Sequence, residues 1–134
     1  MNRTLVAALA LCLLSAHAQA ADWFTLTGDL ADTQVDTAQL DMSSVGQTTL
    51  RFRVSLARPR TLEGEVYQSY VSNITVDCAS GSVFHDEQQR FADALWRHEL
   101  RVEVFTGPKP MAFLGLLPDP RPRLLVAACR ARQR

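Results

Sequence analysis

Lysine is almost missing from this sequence: Lys109 is the only one, against thirteen arginines. Net charge is missing too, because the 14 basic and 14 acidic side chains cancel. A dedicated nucleic-acid binder carries a basic excess to neutralise phosphates, so that class is disfavoured. Three cysteines are too few for a disulfide-dense miniprotein or a zinc cluster. No C-x-x-C spacing exists, which argues against a redox pair. There is no H-E-x-x-H, G-x-S-x-G, G-x-G-x-x-G, P-loop or D-x-D-x-D-G calcium loop, and no internal repeat. What remains is a 134-residue chain, 47% hydrophobic and 21% charged, which suits one folded domain.

Residues 1–20 read as a cleaved signal peptide. Arg3 supplies the charge, and Leu5 to Leu14 is an apolar run too short for a stable membrane span. Ala18 and Ala20 place cleavage before Ala21. Cys12 follows the large Leu11, so it makes a poor lipobox and leaves with the leader. The expected product is periplasmic or secreted, not a lipoprotein, with no transmembrane segment after cleavage. It is a single domain over 21–134, holding 13 basic against 14 acidic residues and two cysteines, Cys78 and Cys129. An exported chain with one cysteine pair reads as one disulfide. It closes a 51-residue loop, for about 4 kcal/mol of stabilisation.

Trp23 to Thr27 alternates like a short strand. Val35 to Leu40 is a short strand or a turn around Asp36. Thr49 to Leu56 is the clearest strand, with Leu50, Phe52, Val54 and Leu56 on one face, and Arg58-Pro59-Arg60 should end it. Glu65 to Cys78 is a second long strand, and its parity points Cys78 to the buried side. Ser82 to Phe91 reads as a strand, although Gln88 to His98 reads equally as an amphipathic helix. Leu100 to Phe105 is a strand with Leu100, Val102 and Val104 inward, followed by a rigid Gly107-Pro108-Lys109-Pro110 loop. Asp119-Pro120 starts a terminal helix that puts Leu124, Leu125, Ala128 and Cys129 on one face. The disulfide would bind this helix to a strand-rich body.

His85-Asp86-Glu87 is the one cluster that suggests acid–base or metal chemistry, and it has no third ligand near it. Charge is uneven despite the neutral sum. Residues 21–50 hold five aspartates and no basic residue, whereas 90–134 hold nine basic against four acidic residues. Arg121, Arg123, Arg130 and Arg132 therefore form a candidate interaction face for acidic partners. The plainer reading is a solvated helix end paired with the acidic segment.

The order of motifs resembles the surface-adhesin protein E-like family of exported proteobacterial proteins. The residues carrying it are Asp22-Trp23, Val35-Asp36 followed by Leu40, the strand Leu50–Leu56, Asp77-Cys78, and Leu124-Leu125-Val126-Ala127-Ala128-Cys129. The resemblance implies an α+β fold: a curved antiparallel β-sheet with a C-terminal α-helix tied to it by a disulfide. It also implies a non-enzymatic module that binds extracellular-matrix or plasma proteins, with a homodimer as a further option. The chain departs from the family in its poor lipobox, in the Pro118-Asp119-Pro120 lead into the helix, and in having only Lys109, so a lysine-based ligand site does not carry over. The expectation is an exported module for an unnamed protein partner, with no catalytic residue, cofactor, metal or nucleic acid. The alternative is a small periplasmic enzyme or inhibitor working near His85.

Overall fold

In a computed structural model, residues 20–113 and 115–130 are described. The leader, the readings of Cys12 and the cleavage site, and Arg132 lie outside them. Six strands follow one another as β1 (Trp23–Thr27), β2 (Thr37–Asp41), β3 (Leu50–Leu62), β4 (Glu65–Asp77), β5 (Ser82–Phe91) and β6 (Glu99–Pro110), and helix α1 spans Arg121–Arg130. Every strand pairs antiparallel with its sequence neighbour, giving one sheet in the order β1-β2-β3-β4-β5-β6. The result is the expected α+β fold, an antiparallel sheet with a C-terminal helix, and the sheet is not strongly curled.

The alternation in β3 drives the layering. Leu50, Phe52, Val54 and Leu56 are buried with Leu26, Ala38, Leu40, Ile74 and Val76 on one face of the sheet. Leu124 and Ala128 of α1, with Met111, Phe113 and Leu116 of the preceding segment, complete this core. Asp119 caps the helix by accepting from the Arg121 N–H at 2.9 Å, which satisfies a donor that has no intrahelical partner. Cys78 is disulfide-bonded to Cys129, with Cα atoms 5.6 Å apart. The helix is thereby fixed to the end of β4.

Four local expectations change. Pro59 does not end β3: pairing with β4 shifts between Ser55 and Arg60 and then resumes to Leu62. A bulge takes up Pro59, and a bulge tolerates the missing ladder donor. Asp36 anchors that bulge by accepting from Ala57 N–H at 2.9 Å and from Leu117 N–H at 3.1 Å. Gly107 to Pro110 is the end of β6 rather than a free loop, pairing Lys109 with His85 and Pro110 with Phe84. Pro is compatible with an edge strand, where a missing donor breaks no inner ladder. Third, β6 is turned over: Leu100, Val102 and Val104 are exposed and Glu103 is half-buried. The cause is Arg90, which is 1% exposed and holds Glu103 at 3.2 Å and Glu65 at 3.1 Å. An ion pair to a buried guanidinium outweighs the hydrophobic preference of an edge strand with nothing packed over it. Fourth, Cys78 sits one residue beyond β4 in an exposed turn, where strand parity no longer applies.

Candidate functional site

The face of β3 opposite the core carries Arg51 and Arg53. There the two tryptophans of the chain meet one guanidinium. Arg53 Cζ lies 4.1 Å from the centroid of Trp23 and 3.8 Å from that of Trp96, and Arg51 Cζ lies 5.4 Å from Trp23. Arg53 Nε donates to Gln39 Oε1 at 2.8 Å, and Gln39 Nε2 donates to Thr25 Oγ1 at 2.9 Å. Three strands thus contribute to one planar stack, β1 through Trp23 and Thr25, β2 through Gln39 and β3 through Arg51 and Arg53. Burial and the neighbouring Arg51 charge lower the Arg53 pKa to about 10, so it stays cationic at neutral pH. That charge is what the two indole faces attract.

Trp96 arrives from the loop joining β5 to β6. Asp93 builds this loop by accepting from the Leu95 and Arg97 N–H groups and from Arg97 Nε. Trp96 has φ 56° and His98 φ 60°, both in the left-handed region. Each costs about 1–2 kcal/mol for a non-glycine residue. At Trp96 the cost is offset by three contacts: N–H to Ser69 Oγ at 3.2 Å, Nε1–H to Tyr70 O at 3.2 Å, and the ring on Arg53. The sequence reading missed this site, because tryptophan and arginine 43 positions apart leave no local pattern. The only signal was that Arg51 and Arg53 fall on the polar parity of the best strand.

Beside the stack, Asp41 joins Asp22 and Ser43 to Arg51. Burial alone would raise the Asp41 pKa; hydrogen bonds from Ser43 and from Asp22 N–H, with the Arg51 charge, hold it below the usual value. Among the described residues the acidic segment therefore pairs with β3, through Asp41–Arg51 and Asp36–Arg60, and not with the arginines of α1. Of those, Arg121 donates to Gly81 O and Arg123 to Leu26 O, both at 2.8 Å. Both fasten α1 to the sheet. Arg130 is exposed at the end of α1.

His85 and Asp86 do not form a pair. His85 is opposite Ile74, while Asp86 is the extra residue of a bulge and accepts from Thr75 Oγ1 at 2.7 Å. Ile74 and Thr75 point to opposite faces, so the two side chains are separated by the sheet. Burial, helped by the Lys109 charge, lowers the His85 pKa to about 4. Its ring packs 5.7 Å from Phe105, and Nδ1 has no partner among the described residues. The imidazole is neutral at pH 7 and packs against that aromatic ring.

Clefts also open elsewhere on the surface of the described residues. One of about 290 Å³ is lined by Asp29, Asp32, Gln68, Leu95 and Arg97, among others. An apolar groove of about 440 Å³ lies between Phe24 of β1 and Val126 of α1. Among the described residues no helix is long and apolar enough to cross a membrane, and no group of three His, Cys, Asp or Glu side chains is placed to hold a metal ion. No family model, curated protein or solved structure matches the chain.

Proposed function

We propose that this protein is an exported, non-enzymatic interaction module that binds a protein partner in the cell envelope or outside the cell. The observation that carries this reading is the Arg51–Trp23–Arg53–Trp96 surface. Its side chains are preorganised by stacking, and Arg51 remains 49% exposed beside them. Tryptophan and arginine bring the largest contact area and the strongest charge-assisted hydrogen bonds to protein interfaces. A stack already fixed in place loses little side-chain entropy when it is covered. The backbone strain at Trp96 supports the reading, since strain of this kind gathers at functional positions. The resemblance of the motif order to the surface-adhesin protein E-like family, together with the disulfide, supports the exported setting.

The test is site-specific photocrosslinking. A photoreactive residue replaces Arg51 in one variant and Arg130 in another, and each is exposed to cell-envelope and extracellular-matrix proteins. The proposal expects a defined adduct from position 51 that Trp96→Leu diminishes. Adducts from neither position, or from Arg130 alone, would overturn it.

A further inference from the structure

The cleft of about 290 Å³ adjoins the arginine–tryptophan stack but shares none of its side chains. Asp29, Leu30 and Asp32 line it from the β1–β2 connection, and Leu95 and Arg97 line it from the β5–β6 loop. From the sheet it is lined by Thr37 of β2 and Ser55 of β3. These two are register partners, so their hydroxyls stand together on one face. A cavity of about 150 Å³ holds a benzene ring, so this cleft has room for a chain the size of a lysine or arginine side chain.

Two independent features of the cleft ask for an occupant. The first is a set of buried polar atoms with nothing to bond. Thr37 is 1% and Ser55 9% exposed, and neither hydroxyl has a hydrogen-bond partner among the described residues. Buried hydroxyls are normally satisfied, because leaving one unpaired is costly. Gln68, which also lines the cleft, donates from Nε2 to Leu56 O at 3.1 Å and keeps Oε1 as a further acceptor. The second feature is charge. Asp36 and Asp41 of the acidic segment have arginine partners, whereas Asp29 and Asp32 form no ion pair among the described residues. Arg97 does not compensate them, since its guanidinium is held by Asp93 at 2.6 Å.

We propose that this cleft binds an ammonium or guanidinium group carried on an unbranched aliphatic stem, the chemistry shared by lysine and arginine side chains and by free aliphatic diamines. Such a head has donors and no acceptor. It matches the two hydroxyls and the Gln68 carbonyl, and Asp29 and Asp32 supply the opposite charge. The stem covers Leu30 and Leu95, which are 39% and 51% exposed in the free protein. The site goes beyond the interaction surface at Arg51 and does not depend on it.

Heteronuclear NMR titration of the disulfide-intact protein tests the idea. The probes are cadaverine, Nα-acetyl-lysine amide and Nα-acetyl-arginine amide, with Nα-acetyl-norleucine amide as the uncharged control. A cation should give saturable shifts at the amides of Asp29, Asp32, Thr37, Ser55 and Leu95, and the control should bind about tenfold more weakly or worse. Binding of the acetylated amides assigns the site to a basic side chain of a partner; binding of cadaverine alone assigns it to a free amine. Asp29→Asn and Asp32→Asn keep the oxygens that accept from the Ala31 and Gln34 N–H groups, so both turns persist. Each should weaken binding about threefold or more, with a larger effect at low salt. Ser55→Ala should weaken binding while the Tm of the free protein holds or rises, because it deletes a hydroxyl that has no partner there. No saturable shift with any cation, equal affinity for the norleucine amide, or an affinity unchanged by both aspartate substitutions would each overturn the proposal.

Discussion

Replacing Arg53 by alanine measures what the stack contributes. The substitution removes a charge-assisted hydrogen bond of 2.8 Å to Gln39, a residue only 6% exposed. It also removes two cation–π contacts at 4.1 and 3.8 Å. The hydrogen bond accounts for about 1.5 kcal/mol and each ring contact for about 0.5–1 kcal/mol at a half-buried site. The expected loss is about 3 kcal/mol, a fall in Tm on the order of 10–15 °C for a domain of this length. Urea denaturation followed by fluorescence reads it, with an unchanged m-value certifying that the denatured state is unaltered. A double-mutant cycle with Trp96→Leu isolates the shared contact, with a coupling of about 1 kcal/mol expected. Arg53→Lys should recover only part of the loss, since an ammonium cannot stack as a plane between two rings. A loss under about 0.5 kcal/mol, or zero coupling to Trp96, would refute the reasoning that Arg53 fastens the β5–β6 loop to the sheet.

Three further outcomes are expected. Cys78→Ser with Cys129→Ser opens a 51-residue loop and should cost about 4 kcal/mol in denaturant titrations; intact-mass analysis of the wild type should show both thiols oxidised. Leu124→Ala removes a side chain with no exposure from the helix–sheet contact and should cost about 2–5 kcal/mol, read by thermal denaturation. His85 has a folded pKa lowered to about 4 from 6.5, so the unfolded chain takes up its proton first as the solution is acidified. Its contribution is fully present above pH 6.5 and is lost as pH falls toward 4, with a slope of up to about 1.4 kcal/mol per pH unit. His85→Gln should flatten that slope, and NMR titration should find the wild-type imidazole neutral at pH 5.5.

The sheet and helix were legible because their signals are local. Strict alternation marked β3, Asp119-Pro120 marked the start of α1, and setting aside Cys12 of the expected leader left one pair of cysteines. The failures share one cause, which is that a neighbour far along the chain decided the outcome. Pro59 was tolerated because Asp36 supports a bulge around it. The inward assignment of Val102 failed because Arg90, on the adjacent strand, draws Glu103 to the covered face. The placement of Asp86 was not legible because a one-residue bulge reassigns faces, and a bulge leaves no mark in hydropathy. The Arg53 stack was invisible since its rings come from Trp23 and Trp96, on opposite sides of β3 in the chain.

The order of the elements also sets a sequence of events. Because each strand pairs with the next, the sheet can assemble progressively as the chain emerges, each hairpin adding to the last. The core face cannot be finished that way. Leu124 and Ala128, which cover it, and Cys129, which locks it, all follow the sixth strand. Until they arrive, the growing sheet presents a bare greasy face, and Cys78 waits as an accessible thiol in an exposed turn. An emerging chain would therefore hold its most adhesive and most mispairing-prone form until the sheet is covered. Residues that come after the whole sheet, Leu124, Ala128 and Cys129 among them, are the ones that end that exposure.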